Sequence, residues 1–442
     1  MLVVISDLHF VDGTAGEQDV PWQAFENVFL SDIAELADHN NAKEIKLLLL
    51  GDVIDLLRTR KWLETDTEDR PWGKNGLKDI KEFDPQKGSK TEKHCCWILE
   101  GIIERNKKTF QLLRGFKKTF EYYFNDKDKV QIIYVPGNHD RLVNFYPSIR
   151  DTVTKVLGLT INDKTVNGFP GNNWRFRNAF EDKEYGVFAR HGHEFDDLNY
   201  GSIDKESLEG HYQVPIGDVV TTEFAVRIAD LLLPVVEELP TGDKDEMKQF
   251  IYGIDNIRPW TSIPGYLLTK FKKYREMRKP VACALCKTFK NVLKIRFARR
   301  WFLSHPLRVI SDLYHCVIGA LRPTFLVTSS KDLYAKAANK DYAEKKETFP
   351  FVLYGHTHSE NQVPINHDKG IDSFYINTGT WRSRIEPTLD QQEYVSLKTM
   401  TYTIFYAADE RPSKGFDIWT GCQSNRRTQK SLQIKHPLRT DK

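Results

Sequence analysis

The chain has 442 residues, which at ~150 residues per domain leaves room for a large core and more than one lobe. Hydrophobic residues are 40% and charged residues 28%, the ordinary balance of a soluble globular protein. The formal net charge of +3 is close to neutral, so bulk charge names no partner.

Leu2 to Ile5 is β-branched and apolar and predicts a first strand, with Asp7-Leu8-His9 just past its end. The N-terminal stretch has no basic region and its apolar run is short, so no secretory signal is expected and a cytoplasmic location is. Trp22 to Ala37 carries Phe25, Val28, Phe29, Ile33 and Leu36 at helical spacing. Ile45 to Leu50 reads as a second buried strand, ending at Gly51-Asp52-Val53-Ile54-Asp55. This strand–helix–strand order indicates a layered α/β architecture. Arg58 to Thr91 is polar, tryptophan-containing and rich in turn residues, an insertion over the pocket rather than core. His94 to Phe124 is a long helical pattern, and Val130 to Val135 is a third strand running into Pro136-Gly137-Asn138-His139-Asp140. Tyr185 to Ala189 is a fourth, ending at Arg190-His191-Gly192-His193.

A larger insertion follows, roughly Glu194 to Thr348, with helical patterns near Asp218–Leu233 and Met247–Ile251. Its apolar stretch from Val309 to Val327 is broken by Asp312, His315, Arg322 and Pro323, so no membrane span is expected. Asp332 to Lys346 predicts a helix, and Phe351 to Tyr354 a strand that ends at Gly355-His356-Thr357-His358. Residues two apart at a strand end share a side, so both imidazoles are expected to reach one pocket. Phe374 to Thr378 and Tyr394 to Tyr406 are late strands; beyond Glu410 the chain is polar and basic with few apolar anchors, and its end is expected to be loosely ordered. The 6 cysteines include the lone pair Cys283-x-x-Cys286 with no second pair at zinc spacing, so reduced thiols are expected.

Strand ends therefore carry Asp7 and His9, then Asp52, then Asn138 and His139, then His191, then His356 and His358. In open α/β sheets, ligands sit at the carboxyl ends of strands, so these groups should converge. Oxygen and imidazole donors together suit Mn, Fe or Zn. The donors are too many for one tetrahedral ion and suit two ions sharing a carboxylate, ~3.5–4 Å apart.

The order Asp-x-His, Gly-Asp-x-x-Asp, Gly-Asn-His-Asp, His-Gly, Gly-His-x-His resembles the calcineurin-like metallophosphoesterase family, with every block present in sequence. The resemblance covers a discontinuous lobe of about residues 1–57, 92–194 and 349–406. It leaves a small insertion at 58–91, a mainly helical basic cap at 195–348 and a polar tail at 407–442. It implies a four-layer αββα sandwich with a dinuclear centre at one edge. By the resemblance one divalent ion, most simply Mn, takes Asp7, His9, Asp52 and His358. The second takes Asp52, Asn138, His191 and His356, with Asp52 bridging. His139 would face the scissile phosphate, off the metals, and assist the leaving group. Asp140 would hold that ring or serve as a turn or helix cap, and a helix-start cap is the preferred role for Asp55. His193 faces the same pocket with no assigned role. Asn377-Thr378-Gly379-Thr380-Trp381 resembles the family's turn beneath the metals and is read as structural.

Between Lys270 and Arg308 the basic residues include Lys290, Lys294 and Arg299, and Val281, Leu285, Val292 and Trp301 recur at helical spacing. Such a cationic amphipathic segment could steer a polyanion, dock on an anionic membrane or pack as a cap helix with a solvated face. The implied activity is hydrolysis of a phosphoester, with a phosphodiester or pyrophosphate of a nucleotide, nucleic acid or other polyanion favoured. A phosphomonoester or phosphoprotein substrate is the alternative, and a non-catalytic scaffold of the same fold is the rival of a different class.

Overall fold

Alternate residues of the strand Leu2–Ile5 point to opposite sides of a sheet, and both sides are buried. In the computed structural model this strand lies in the middle of a five-stranded mixed sheet. The model describes residues 1–16, 20–73, 88–121, 124, 129–168, 174–202, 208–239, 243–306, 330–345, 348–368, 371–388, 393–411 and 415–422. Leu2–Ile5, Ile45–Leu50 and Val130–Val135 run parallel, with Val3 opposite Leu47 and Leu48 opposite Ile133. Thr399–Phe405 and Phe416–Cys422 extend the other edge antiparallel. A second mixed sheet has the order Ala179–Asp182, Val187–Arg190, Phe351–Tyr354, Ile371–Asn377, Asn361–Asp368.

The period of two decides which side chain goes where. Leu2, Val4, Leu48, Leu50, Ile133 and Val135 pack with Val187, Ala189, Leu353 and Ile376 of the second sheet. Val3, Ile5, Leu47, Leu49 and Ile132 face the other way, onto Phe29 and Ile33 of the helical residues 22–39, Ile98 of Lys90–Arg105 and Phe110 of Lys107–Glu121. On the second sheet Phe188, Val352 and Tyr375 meet Ala338 and Tyr342 of the helix Ser330–Glu344. The expected strands at 2–5, 45–50, 130–135 and 351–354 appear at those residues, because uninterrupted β-branched and leucine runs with two buried faces have little alternative.

Several expectations are corrected. The helical pattern from His94 is two helices, Lys90–Arg105 and Lys107–Glu121, parted at Asn106, whose side-chain amide donates to the Val11 carbonyl at 3.0 Å. Tyr394 to Tyr406 is likewise two strands, Tyr394–Leu397 and Thr399–Phe405. The tail, read as polar with few apolar anchors, holds a strand. Phe416–Cys422 pairs along the whole of Thr399–Phe405, and its Phe416 and Ile418 pack onto the core between the sheets. The alternation Phe416, Ile418, Thr420 was the available signal; residues 423–442 lie outside the described ones.

The first insertion is core as well as cover. Trp62 is fully buried and donates from Nε1 to the Leu56 carbonyl at 2.8 Å. Beyond it, Arg60 pairs with Asp230 at 2.6 Å, and Arg70 and Trp72 both bond Glu223, which ties this segment to the helical residues 216–238. In the basic stretch the helix Arg278–Lys294 buries Val281, Ala284 and Val292, and Arg296–Ser304 buries Ala298, all in the main core. Packing thus uses the apolar stripe, and Lys290, Lys294 and Arg299 are exposed. The stretch Val309 to Val327 lies outside the described residues; no described helix is long and apolar enough to cross a membrane.

Candidate metal centre

Consecutive strand ends deliver the donors. Asp7 N–H donates to the Gly51 carbonyl at 3.0 Å and His9 N–H to the Asp52 carbonyl at 2.8 Å, so the first two loops continue each other's ladder past the strands. Gly355 N–H bonds the His191 carbonyl at 3.0 Å in the same way. Past the strands the backbone turns sharply. Asp7 (φ 53°), His9 (47°), Asp52 (52°), His356 (66°) and His358 (58°) are all left-handed, and Asn41 alone among other described non-glycine residues joins them. Each such residue costs ~1–3 kcal/mol and persists where its surroundings impose it, which is typical of functional sites. His356 and His358 thus reach the site through left-handed turns, not through the alternation of a strand. Close approach also requires glycine at Gly137, where a Cβ would stand 2.3 Å from Asp52 Oδ1 and 2.8 Å from His191 Cδ2.

The donors fall into two groups that share Asp52: Asp7, His9, Asp52 and His358 in one, and Asp52, His191 and His356 in the other. In the first, His9 Nε2 and His358 Nε2 are 3.1 Å apart, and Asp7 Oδ1 is 3.2 Å from His358 Nε2. In the second, His191 Nε2 is 3.3 Å from Asp52 Oδ2, and Asn138 Oδ1 is 3.1 Å from His356 Nδ1. Asp52 Oδ2 also lies 3.6 Å from His9 Nε2, so one oxygen stands between the groups. An ion ~2.1 Å from each donor leaves donor–donor edges of ~3.0–3.4 Å, which these distances approach.

Ring orientation tests the fit further. His9 Nδ1 donates to Asp55 Oδ2 at 2.9 Å, His191 Nδ1 to the Leu50 carbonyl at 3.0 Å, and His356 Nε2 to Asp196 Oδ2 at 3.2 Å. With those protons turned outward, the inward nitrogens present lone pairs to other acceptors. His191 Nε2 and Asp7 Oδ1 are buried with no hydrogen-bond partner. Acceptors facing one another at these distances need a cation between them, so the residues present fit divalent metal. Asn138 is oriented for the same purpose: its amide N–H donates to Asn199 Oδ1 at 3.2 Å, which leaves Oδ1 facing His356.

Without a cation, protons compensate the acids. Burial pushes the His191 imidazole down, but Asp52 and Asp7 outweigh it and raise it to about 10. Burial, the largest influence on Asp52, pushes that carboxyl up, but His191, His139 and His9 hold it well below the usual carboxylate range. His9 is neutral, pushed down to about 3 by burial and then by Arg382. Ion uptake must therefore expel the His191 proton. Apparent Mn affinity is expected to rise with pH, by up to ~10-fold per unit while His191 is protonated, with protons released on binding. Mn titrations at pH 6.5 and 8.5 with equal affinities would contradict this.

His139 belongs to neither set with Asp52, and forms a third group of close donors with His9 and Asp55. Its backbone N–H donates to Asp52 Oδ1 at 2.8 Å and its ring Nδ1 to Asp55 Oδ1 at 3.0 Å. Burial opposes its charge, yet Asp55 and Asp52 raise it to about 9, so it is an imidazolium at neutral pH. The ring is held by Asp55 and not by Asp140, which takes the alternative expected of it, a carboxylate bonded into its own turn. The Asp140 carboxylate turns back into its own loop and accepts from Val53 N–H at 2.9 Å, the Tyr134 hydroxyl at 2.6 Å and Gly137 N–H. Asp55 does cap, accepting from Leu57 and Arg58 N–H, but it also grips His9 and His139 together. His193 joins neither group. It is buried against His191 and His211, with ring centroids at 5.5 and 5.2 Å, and both its nitrogens lack a hydrogen-bond partner. The Asn377–Trp381 turn braces the loops as expected: Thr380 Oγ1 donates to the Asp7 carbonyl at 2.9 Å and Asn377 Nδ2 to the Gly355 carbonyl at 2.7 Å.

Sequence reasoning left out Asp196 and Asn199, six and more residues past the fourth strand, whose only signal was proximity to His191 in the chain. No family model matches the chain, and a search of curated proteins finds no significant match.

Proposed function

We propose that this chain is a metal-dependent phosphoesterase of the calcineurin-like type, with the two sheets and their outer helices read as that family's four-layer sandwich. The observation that carries the reading is the pair of donor groups meeting at Asp52 Oδ2, with the outer nitrogens of His9, His191 and His356 hydrogen-bonded and their inner nitrogens turned toward the other donors. Asp7, His9, Asp52 and His358 would hold one divalent ion, and Asp52, Asn138, His191 and His356 the other. Bound there, two such ions supply Lewis acidity toward a phosphoryl oxygen and acidify water near neutral pH.

The chain's own residues supply the rest. Asp55 fixes His139 through Nδ1, so Nε2 is the atom that delivers a proton to the leaving oxygen. Its positive charge also attracts the phosphoryl group before reaction. The substrate class proposed is a phosphodiester or pyrophosphate of a nucleotide or other polyanion. Hydrolysis of bis-p-nitrophenyl phosphate and p-nitrophenyl phosphate, each with added Mn, tests both points. The diester should turn over faster. A monoester preference would overturn the substrate class, and hydrolysis of neither by protein carrying two ions would overturn the activity.

A further inference from the structure

Three guanidinium groups meet around one carboxylate beside the candidate centre. Arg58 is tied to Asp55, whose Oδ1 accepts its backbone N–H at 3.0 Å. Arg382 follows the turn whose Thr380 hydroxyl holds the Asp7 carbonyl. Arg258 comes from the larger insertion and is pinned by its N–H to the Ile385 carbonyl at 3.0 Å. All three converge on Asp255. Arg58 Nε lies 3.0 Å from its Oδ2, Arg382 Nη2 bonds its carboxylate and, at 2.7 Å, its carbonyl, and Arg258 Nη1 donates to the same carbonyl at 2.9 Å.

Within ion-pair distance the charges do not balance, although Asp55 acts on Arg58, and Asp7 and Asp52 on Arg258, from farther off. The Arg58 and Arg382 side chains are 0% exposed, and among the described residues Asp255 is the one carboxylate within ion-pair distance of either. No described carboxylate is that close to Arg258. Arg58 Nη1 and Arg382 Nη1 are buried without an acceptor. A buried charged donor left unpaired costs several times an ordinary hydrogen bond. Anchoring the insertion accounts for the bonds to Asp255 and for Arg382 Nε on Asn256 Oδ1 at 2.8 Å. It does not account for the two idle Nη1 groups, nor for Arg258, whose Nη1 donates to the Asp255 and Ile257 carbonyls but has no described carboxylate within ion-pair distance. The cluster adjoins the centre through its loops: Asp55, which holds the Arg58 N–H, also bonds His9 and His139, and Arg382 lies two residues past Thr380, which holds the Asp7 carbonyl. The Asp255 side chain is 13% exposed and Arg258 is half-buried, so solvent reaches the cluster at these two residues, with Arg58 and Arg382 behind them.

We propose that Arg58, Arg258 and Arg382 form an anion subsite that receives the second phosphoryl group of a substrate with two joined phosphoryl groups, such as a nucleoside diphosphate ester. Guanidinium forks match the non-bridging oxygens of a phosphate in pairs, which a lone ammonium does not. One phosphoryl group at the metals then places its neighbour among the arginines. The identity of the first group rests on the phosphoesterase reading; the anion subsite does not.

The test uses the Mn-loaded protein with methylenediphosphonate, which cannot be hydrolysed, and inorganic phosphate as the single-group reference. Calorimetry gives the affinity ratio of the two. Arg258→Ala should cut the preference for the diphosphonate at least 10-fold, and Arg258→Lys should restore it only in part, since the charge returns without the fork. An unchanged ratio in Arg258→Ala, or no preference in the wild type, would overturn the subsite. If Arg258→Ala does not give a cooperative melt, Arg258→Lys carries the test, and a wild-type ratio in it overturns the fork-dependent site. The aryl phosphate assay is read separately. A lost preference in a protein that hydrolyses neither aryl ester supports the subsite while the phosphoesterase reading fails; hydrolysis with an unchanged ratio does the reverse.

Discussion

Asp52→Asn should reduce Mn binding from two equivalents per chain to one or fewer, with loss of activity. Asp52 Oδ2 lies 3.6 Å from His9 Nε2 and 3.3 Å from His191 Nε2, so it is the donor both groups share. An amide oxygen in its place is neutral, and two dications a few ångströms apart would lose the charge that offsets their repulsion. Removal of an outer partner of a metal ligand already costs ~10–100-fold in affinity, and a shared ligand should cost more. Elemental analysis after reloading and desalting reads the stoichiometry. A wild-type protein that saturates at one equivalent would rule out the dinuclear centre, whatever the variant does.

His139→Ala should keep both ions and lose turnover by ~10²-fold or more. The ring bonds Asp55 and stacks edge-on to His9 at a centroid distance of 4.8 Å, but it lies in no group with Asp52. Loss of metal along with activity would make it a structural residue or a ligand. Asp55→Asn separates the two roles. Burial opposes charge on His139 and Asp55 is the first of the groups that sustain it, so the amide should lower the imidazolium pKa. The proton on His139 would then be lost at lower pH, and the alkaline limb of the kcat–pH profile should move down. Because Asp55 also orients His9, some loss of metal affinity should accompany the shift. An alkaline limb that stays where it is would mean that His139 does not donate the proton.

Much of the site was legible in the chain because its chemistry is local to strand ends. Asp7-Leu8-His9 after Leu2–Ile5, or His356-Thr357-His358 after Phe351–Tyr354, needs only a buried strand and a turn to be recognised. The same holds for the strands at 2–5, 45–50, 130–135 and 351–354, whose apolar runs leave one assignment. The strand Phe416–Cys422 was missed because it is a half-buried edge strand, and its alternation is short and diluted by polar residues.

The partners of those donors were not legible, and the reason is sequence distance. By itself the sequence determined the strand–helix–strand succession of the early elements, the donor types and the expectation that they meet. Only the tertiary structure decided that Asp55, not Asp140, holds His139, because both follow the same kind of turn and differ only in which way the loop closes. It alone brought Asp196 to His356, 160 positions away, and Arg382 to Asp255, 127 positions away. A side chain's neighbours across such spans are set by how sheets and insertions pack, which no local pattern records. The left-handed backbone at Asp7, His9, Asp52, His356 and His358 belongs to the same class, since those residue types adopt it only where surrounding loops impose it.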